Sequence, residues 1–358
     1  MNETLRTVAY SVVIIIGVGW LLHIGASILL PFTFALLFAL FLYPIDKRIF
    51  RVVKHKWISI PLTLLAVIVP LVLIGTLFSI QLVSIIDSLP AIGSSLKVGL
   101  DQAIKNIQSV LPFLKIQSDK ILSDNISSII EAPLGILKQG LLSSSAILVS
   151  TVLTCIYSVL LLYYRRSMRN FVVFQFERQN RTDIKETISK IKDTVQAYVG
   201  GLGLVILLLS VLNSLGLWII GIDHPIFWGA LAGLLAVVPY IGTGLGGVLP
   251  FLYALATADH SWQPVAVVVY YAAIQFLEGN VITPKIVGDK VNINPLVAIL
   301  ALIFFGEFWG IGGVILALPI ISITRIILSQ FESTTPLALL MSSDVANRSH
   351  RFKEIADS

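Results

Sequence analysis

Long apolar runs, repeated along the chain, are the feature that most constrains its fold. Runs of about 18 residues or more recur, and this is the length that an α-helix needs to cross the hydrocarbon core of a bilayer. Hydrophobic residues make up 56% of the 358 residues and charged residues only 13%, whereas roughly a quarter of an ordinary soluble domain is charged. The sequence therefore predicts an all-α polytopic membrane protein.

Residues 1–86 are predicted to form three N-terminal spans. Val8–Leu22, interpreted as a retained first span, and Ile24–Tyr43 are expected to form a tight helical hairpin that turns near residues 23–25, and Ile58–Ile86 is the third span. The connection at residues 46–56 carries five cations and one acid, Asp46. The positive-inside rule places this connection, and with it the N-terminus, in the cytoplasm.

The next two regions differ in charge. Residues 87–140 have apolar positions at near-helical spacing and balanced charges, which predicts an extracytoplasmic amphipathic helical region; a small domain without a transport role is the alternative. Residues 141–197 are predicted to hold a fourth span and a basic, cytoplasmic amphipathic helix. Its cations form a solvated face or, alternatively, contact anionic head groups.

Residues 198–327 are predicted to be a transport bundle. After a fifth span, Ile226–Thr257 and Pro295–Ile327 are each longer than one span and are interrupted by Gly and Pro. Each segment is either a kinked span or a re-entrant hairpin, and two lysines in the loop between them favour hairpins that enter from opposite sides. The strings FWGALAGLLAVVPYI and FWGIGGVILALPII, at Phe227 and Phe308, align with one gap, which suggests a repeat. Residues 328–358 are expected to be a polar cytoplasmic tail.

A polar segment, QFLEGNVITPKIVGDKVNINP at Gln275–Pro295, lies between two of the apolar runs. Gly279, Gly288, Pro284 and Pro295 are expected to interrupt any helix there. Because lipid satisfies no backbone polar groups, such a segment must line a cavity or be buried in protein. It is therefore interpreted as the substrate or coupling-ion region of a transporter.

Glu278 is the strongest candidate in this segment, because an ionisable group at membrane depth normally faces a cavity or a partner. It could exchange a proton or cation, accept hydrogen bonds from a polyol, or pair with Lys285. Asn280 and Thr283 could bind a polar solute or cap a broken helix, and Glu307 is either a second intramembrane acid or a hairpin tip. The predicted pathway residues are Glu278, Asn280, Thr283, Pro284, Lys285, Gly288, Pro239, Gly242, Gly244, Gln275 and Glu307.

Enzyme and cofactor motifs are missing from the sequence. The GxGxxG string at Gly242–Gly247 has no preceding strand or βαβ unit, so it does not predict a dinucleotide site. The sequence contains no HExxH, Walker-type, GxSxG or CxxC motif. We expect no catalytic residue, cofactor, metal or nucleic-acid partner, and any transport would be driven by gradients.

Several short motifs occur in a fixed order. Pro239-Tyr240-Ile241-Gly242 is followed by Glu278-x-Asn280-x-x-x-Pro284-Lys285-Ile286-x-Gly288, by Asn294-Pro295-Leu296, and by Gly306, Gly310, Gly313 and Pro319. This order resembles the autoinducer-2 exporter family over nearly the whole chain. The resemblance implies a multi-pass protein of the bacterial inner membrane with about eight membrane segments, and a homo-oligomer, with a pentamer suggested by relatives.

The function expected from these features is gradient-driven export of a small polar metabolite or a signalling molecule of the autoinducer-2 type, as in quorum sensing. A sodium(lithium)/proton antiporter is one alternative, and a non-transporting membrane scaffold is another. The expected partners are the solute, protons or sodium, and the lipid bilayer. Both termini are expected in the cytoplasm.

Overall fold

The fold was analysed in a computed structural model, which describes residues 10, 13, 17–110, 144–238, 241–286 and 292–343; side chains of residues 86–110, 144–146, 241 and 243 are not part of this description. The helices are α1 (Ala26–Val53), α2 (Lys56–Val110), α3 (Ser144–Phe174), α4 (Arg181–Ile220), α5 (Pro225–Leu235), α6 (Ile241–Thr257), α7 (Trp262–Leu277), α8 (Thr283–Ile286), α9 (Pro295–Leu328) and α10 (Thr335–Leu340). Six segments in these ranges are long and apolar enough to span a membrane, and two shorter apolar helices accompany them. The prediction of an all-α polytopic membrane protein is confirmed.

The chain divides into two compact units, which are described separately. Unit 1 comprises residues 1–66, 148–200 and 287–358, and unit 2 comprises residues 67–147 and 201–286. The long helices α2 and α4 each run through both units: α4 divides into two halves at residue 200, whereas only residues 56–66 of α2 belong to unit 1. Residues 111–140 of the predicted extracytoplasmic region lie outside the described residues.

In unit 1, the prediction of a helical hairpin that turns near residues 23–25 is wrong. Gly25 has near-helical angles of φ −75° and ψ 2°. It donates to the carbonyl of Leu21 at 2.8 Å, and its own carbonyl accepts from Leu29 at 2.8 Å. Residues 17–24 and α1 therefore form one kinked helix, because a single residue with near-helical angles bends a helix without reversing it.

Helix α1 continues through the basic segment that the sequence predicted as a loop. Pro44 lacks the N–H that would bond to the carbonyl of Leu40, and the Gln196 side chain of α4 donates to that carbonyl at 2.8 Å. The helix therefore ends only at Val53, and Lys54, at φ 60°, makes the turn into α2. A side chain from another helix thus replaces the hydrogen bond that proline removes.

Helix α9 folds back on itself and forms the second hairpin of the chain. Gly310 has φ +61° and ψ −145°, angles that belong to no helix. A Cβ added at Gly306 would lie only 3.0 Å from the Val314 side chain, and Gly313 packs against the carbonyl of Phe305. Residues eight apart in a straight helix are separated by about 12 Å. The chain therefore reverses at Gly310, as the hairpin interpretation predicts and a kinked span does not.

The beginning of the predicted tail is also folded. Asn294 caps α9 by accepting from the Val297 N–H at 2.8 Å, and its backbone N–H donates to the carbonyl of Met341 at 2.9 Å. Pro295 occupies the first turn of α9, where its missing N–H removes no helical hydrogen bond. Pro295 thus starts a helix where the sequence analysis expected it to interrupt one.

In unit 2, α5 and α6 form the first hairpin. A Cβ added at Gly246 would lie 3.2 Å from Ala232, and the ring centroids of Trp228 and Tyr253 are 5.0 Å apart. Ala232 is paired with Gly246, and the earlier residue Trp228 is paired with the later residue Tyr253, so the two helices are antiparallel. With 11 residues, α5 is about 16 Å long, too short to cross a hydrocarbon core of roughly 30 Å.

Small residues set the close packing of this hairpin on the second half of α4. Gly229 lies on Ser214, and Gly233 lies on Ser210. Each pair is spaced by four residues on its own helix, so the contacts form one continuous seam between antiparallel helices. Such small-residue seams let the backbones of membrane helices approach closely.

The aligned strings at Phe227 and Phe308 do not occupy equivalent places in the two hairpins. Phe227–Gly229 lies in the first limb of hairpin α5/α6, whereas Phe308–Gly310 lies at the tip of α9. Gly246 and Gly247, which follow Pro239, lie in the second limb, where they pack closely on Ala232 and Tyr271. The repeat suggested by that alignment is therefore not supported by the geometry.

Candidate functional site

The polar segment that follows α7 continues as helix where the sequence predicted breaks. Helix α7 passes through a π-turn at Glu278–Ile282 into α8, which ends at Ile286. Gly279 and Pro284 lie inside this helical stretch and do not interrupt it, contrary to the expectation. Gly288 lies outside the described residues.

The π-turn has a local cause and a local consequence. Pro284 cannot donate a helical hydrogen bond, and the Thr283 N–H before it bonds five residues back, to the carbonyl of Glu278. The Asn280 side chain donates to the carbonyl of Phe276 at 2.8 Å, which satisfies backbone at the widened turn. Single π-turns inside α-helices are frequent at functional sites.

The carboxyl group of Glu278 lies half-buried at this turn. The Gln275 side chain, one turn earlier, is hydrogen-bonded to it. The helix does continue from Glu278 to Lys285, yet no ion pair between them occurs in the described part of the chain. Lys285 and Asn280 are exposed, and Thr283 is partly buried. Glu278 therefore has a neutral amide as its neighbour, and no described cation forms an ion pair with it.

Antiparallel packing brings the tip of hairpin α5/α6 to the same end of unit 2. The Tyr271 ring of α7 lies 3.2 Å from an added Cβ on Gly247 of α6. Counting six residues backward from Gly247 and six forward from Tyr271 places the start of α6 level with the end of α7. The two segments that the sequence singled out, one near Gly242 and one near Glu278, thus lie at one level.

The two glycines at this end differ in their surroundings. Gly242 is buried and packs on the carbonyl of Leu235, so it permits the tight turn of the hairpin. Gly244 is exposed and has no atom within 4 Å of an added Cβ among the described neighbours. Pro239 lies outside the described residues.

Glu307 belongs to unit 1 and lies in the exposed tip of the α9 hairpin. Next to it, the Trp309 Nε1 donates to the carbonyl of Leu22 at 3.1 Å. The ring of Phe308 lies 6.4 Å from that of His23. The tip therefore packs on the kinked N-terminal helix, which the sequence pattern did not indicate.

Unit 1 contains a polar cluster that was not expected from the sequence. Asp46, only 1% exposed, pairs with Arg165 of α3 and accepts a hydrogen bond from the Ser59 hydroxyl at 2.5 Å. Arg165 and Lys192 also lie over the ring of Tyr43, at 5.0 and 5.9 Å. The signal was present in the sequence: Asp46 is the one acid among five cations in residues 46–56.

Known proteins resemble this chain over most of its length. The "Putative transport protein YueF" of Bacillus subtilis is 27% identical over 308 residues, 82% of each chain. The "AI-2 transport protein TqsA" of Escherichia coli K12 is 22% identical over 338 residues, which is 92% of this chain and 93% of TqsA. A third match, the "Putative transport protein YrrI" of B. subtilis, is 33% identical but spans 39% of each chain.

The family comparison covers nearly the whole sequence. Residues 10–333 match the family described as AI-2E family transporter. This range includes both hairpins and the Glu278 turn. With six span-length helices and these relatives, the protein is a multi-pass membrane transporter, and it belongs to the AI-2E transporter family.

Proposed function

We propose that this protein exports a small polar solute of the autoinducer-2 type, driven by an existing gradient, and that the solute passes the end of unit 2 formed by the Glu278 turn and the tip of hairpin α5/α6. The supporting observation is Glu278 itself. It lies half-buried on a helix of membrane-spanning length, with Gln275 as its hydrogen-bonding neighbour. A carboxylate in such a place is costly and normally faces a solute path.

The geometry of the hairpins suggests how access would alternate. Helix α5, the first limb of hairpin α5/α6, is too short to span the membrane. We propose that this hairpin is re-entrant and that the α9 hairpin enters the membrane from the opposite side. Displacement of the α5/α6 tip would expose the Glu278 turn, since the tip lies at that level. Paired re-entrant elements of this kind form the binding sites of several transporter folds.

The rest of the proposed arrangement follows from charge and family. The basic segments at residues 46–56 and 165–197 support cytoplasmic termini in a bacterial inner membrane. We propose a homo-oligomer, with no enzymatic activity, acting in signal export. The name of the E. coli relative TqsA supports autoinducer-2 as the first solute to test.

The decisive experiment compares Glu278→Gln with Glu186→Gln, a matched change of an exposed glutamate on α4. Autoinducer-2 and other polar metabolites are measured inside and outside cells that lack the protein or express each variant at equal level. We expect wild type and Glu186→Gln to lower the intracellular pool of one metabolite, and Glu278→Gln to lose this effect. Equal export by Glu278→Gln would refute its role, and no metabolite difference with wild type would refute export.

Cation/proton exchange is a second candidate, favoured by the carboxylate of Glu278, with which no described cation forms an ion pair. A pH-sensitive dye in inverted membrane vesicles measures it directly. Proton efflux on addition of sodium or lithium, lost in Glu278→Gln and retained in Glu186→Gln, would establish exchange. Absence of this flux together with metabolite export would leave the exporter as the function.

A further inference from the structure

The interior of unit 2 contains three buried polar atoms without a hydrogen-bond partner among the described residues. They are the Asn213 Oδ1, the Trp228 Nε1 and the Tyr271 hydroxyl. Asn213 is 3% exposed and Trp228 is 4% exposed. Buried polar groups are nearly always paired in native proteins, so each exception needs an explanation.

Helix pairing places these side chains at similar depth. Helix α7 runs antiparallel to α4, because the Gln263 amide donates to the carbonyl of Ile220 at 3.0 Å and the Tyr270 hydroxyl donates to the carbonyl of Leu212 at 2.6 Å. Because the helices are antiparallel, Tyr271 is level with residue 211, and Asn213 lies two residues away, about 3 Å along the axis.

Helix α5 brings the third group to the same region. Gly229 packs on Ser214 across the antiparallel seam, so the preceding residue, Trp228, is level with residue 215. A difference of two residues is about 3 Å along a helix axis. The three groups thus come from three helices of one unit and lie within about 6 Å of one another along the helix axes.

The neighbours of these groups show that they face inward. Leu209 and Leu217, one turn on either side of Asn213 on the same face of α4, are both buried. The ring of Tyr271 lies on Gly247 of α6, and that of Trp228 lies against Tyr253 of the same helix. Asn213 thus lies between two buried leucines on the inward side of α4.

The chemistry of the set is neutral and mixed. The tyrosine hydroxyl and the indole N–H can donate, and the asparagine oxygen can accept. No charged side chain is among the three. Neutral molecules that carry several hydroxyl groups, each both donor and acceptor, are the ligands that such a set can satisfy at once.

Tyr271 also connects this set with the Glu278 turn. Residues 271 and 278 are seven apart and Gln275 lies between them, so all three share one face of α7 at helical spacing. The distance along the axis is about 10 Å. A solute that reaches Glu278 at the tip of the hairpin would meet Tyr271 next on its way inward.

We propose that Asn213, Trp228 and Tyr271 form an inner binding site for a neutral polyhydroxylated solute, closed in the structure described here and opened when hairpin α5/α6 moves. The proposal rests on the proposed transport function and names a site beyond Glu278. It explains why three donors and acceptors are buried at similar depth without a partner among the described residues: their partner is the solute.

The test uses a cysteine reporter that leaves the three polar groups intact. Cys155 is the only cysteine of the chain, so Cys155→Ala gives a cysteine-free background. Leu209→Cys places a thiol one turn from Asn213, Leu42→Cys is a fully buried control in unit 1, and Ser189→Cys is an exposed control. Labelling by a small hydrophilic methanethiosulfonate reagent is timed in nanodiscs, where both membrane faces are accessible.

We expect Leu209→Cys to be labelled, Ser189→Cys to be labelled faster, and Leu42→Cys to stay unlabelled. D-Ribose and glycerol are the probes, and at about twice the dissociation constant the better one should slow labelling of Leu209→Cys about threefold. Adding Asn213→Leu should abolish that protection. Absence of labelling at Leu209→Cys, or labelling unaffected by either probe, would overturn the site.

Thermal stability separates this site from an ordinary structural role. If Asn213 has no protein partner, Asn213→Leu removes an unsatisfied buried amide and raises the unfolding temperature. A lower unfolding temperature would show that the amide is paired within the protein and would overturn the proposal. Because neither readout requires transport, failure of the Glu278→Gln experiment and failure of this one are distinguishable.

Discussion

Gly233→Ala tests the close packing of hairpin α5/α6 on α4. A Cβ added at Gly233 would lie 2.7 Å from the carbonyl oxygen of Ile206 and 2.9 Å from the backbone nitrogen of Ser210. Ordinary van der Waals contact begins at 3.4 Å. The Ser210 hydroxyl, which is closer still, can rotate, but the two backbone atoms cannot. The helices must therefore separate by about 0.7 Å.

The expected free-energy change combines two opposing contributions. Overpacking a tight contact costs about 1–3 kcal/mol, whereas alanine in a helix is favoured over glycine by up to about 1 kcal/mol. The net effect on the free energy of unfolding is a loss of about 1–2 kcal/mol. For a chain of this size, we expect a fall of roughly 1–3 °C in unfolding temperature.

Gly203→Ala is the matched control, since Gly203 lies on the same half of α4 in unit 2 with no atom within 4 Å of an added Cβ. There only helix propensity acts, so the unfolding temperature should stay equal or rise. Both variants are measured in detergent by intrinsic fluorescence on heating. If Gly233→Ala is as stable as Gly203→Ala, the small-residue seam does not hold the hairpin on α4.

Two further predictions concern unit 1. Arg165→Ala leaves the buried Asp46 carboxylate without its cation and should lower the free energy of unfolding by about 3 kcal/mol. The control Arg166→Ala, at an exposed neighbouring site, should change it by less than about 0.5 kcal/mol. Equal melting curves for the two variants would contradict a structural role for the pair. Gly310→Ala forces a side chain onto φ +61° and ψ −145° and should lower the free energy of unfolding by about 1–3 kcal/mol. The control Gly200→Ala, inside α4 with free space around it, should not destabilise the protein. An unchanged stability of Gly310→Ala would show that the α9 tip does not need glycine.

The comparison of sequence and structure is clearest at the prolines. A sequence shows that Pro284 and Pro44 remove a hydrogen-bond donor, but it does not show what replaces that bond. A π-turn accommodates Pro284, and the Gln196 side chain serves the carbonyl freed by Pro44. The predicted breaks failed because distant groups and local rewinding satisfied the backbone.

The hairpins divide in the same way. Excess length and interrupting Gly and Pro residues predicted that neither long segment is a simple straight span. The chain reverses at Gly310 because its backbone angles are ones that glycine adopts far more easily than any other residue. The place of the first tip, before Ile241, depended on α5 packing against α4 and α6. Gly246 and Gly247, which the sequence placed at a tip, serve that packing along the second limb.

The sequence by itself determined the class of the protein, because apolar length and scarcity of charge leave a chain no stable fold outside the membrane. It also located Glu278, since a carboxylate in an apolar run is conspicuous without any structure. Tertiary structure alone decided which groups meet: Asp46 with Arg165, and Gly233 with Ser210. Those pairings arise from the register and facing of helices far apart in the chain, and local composition carries no record of them.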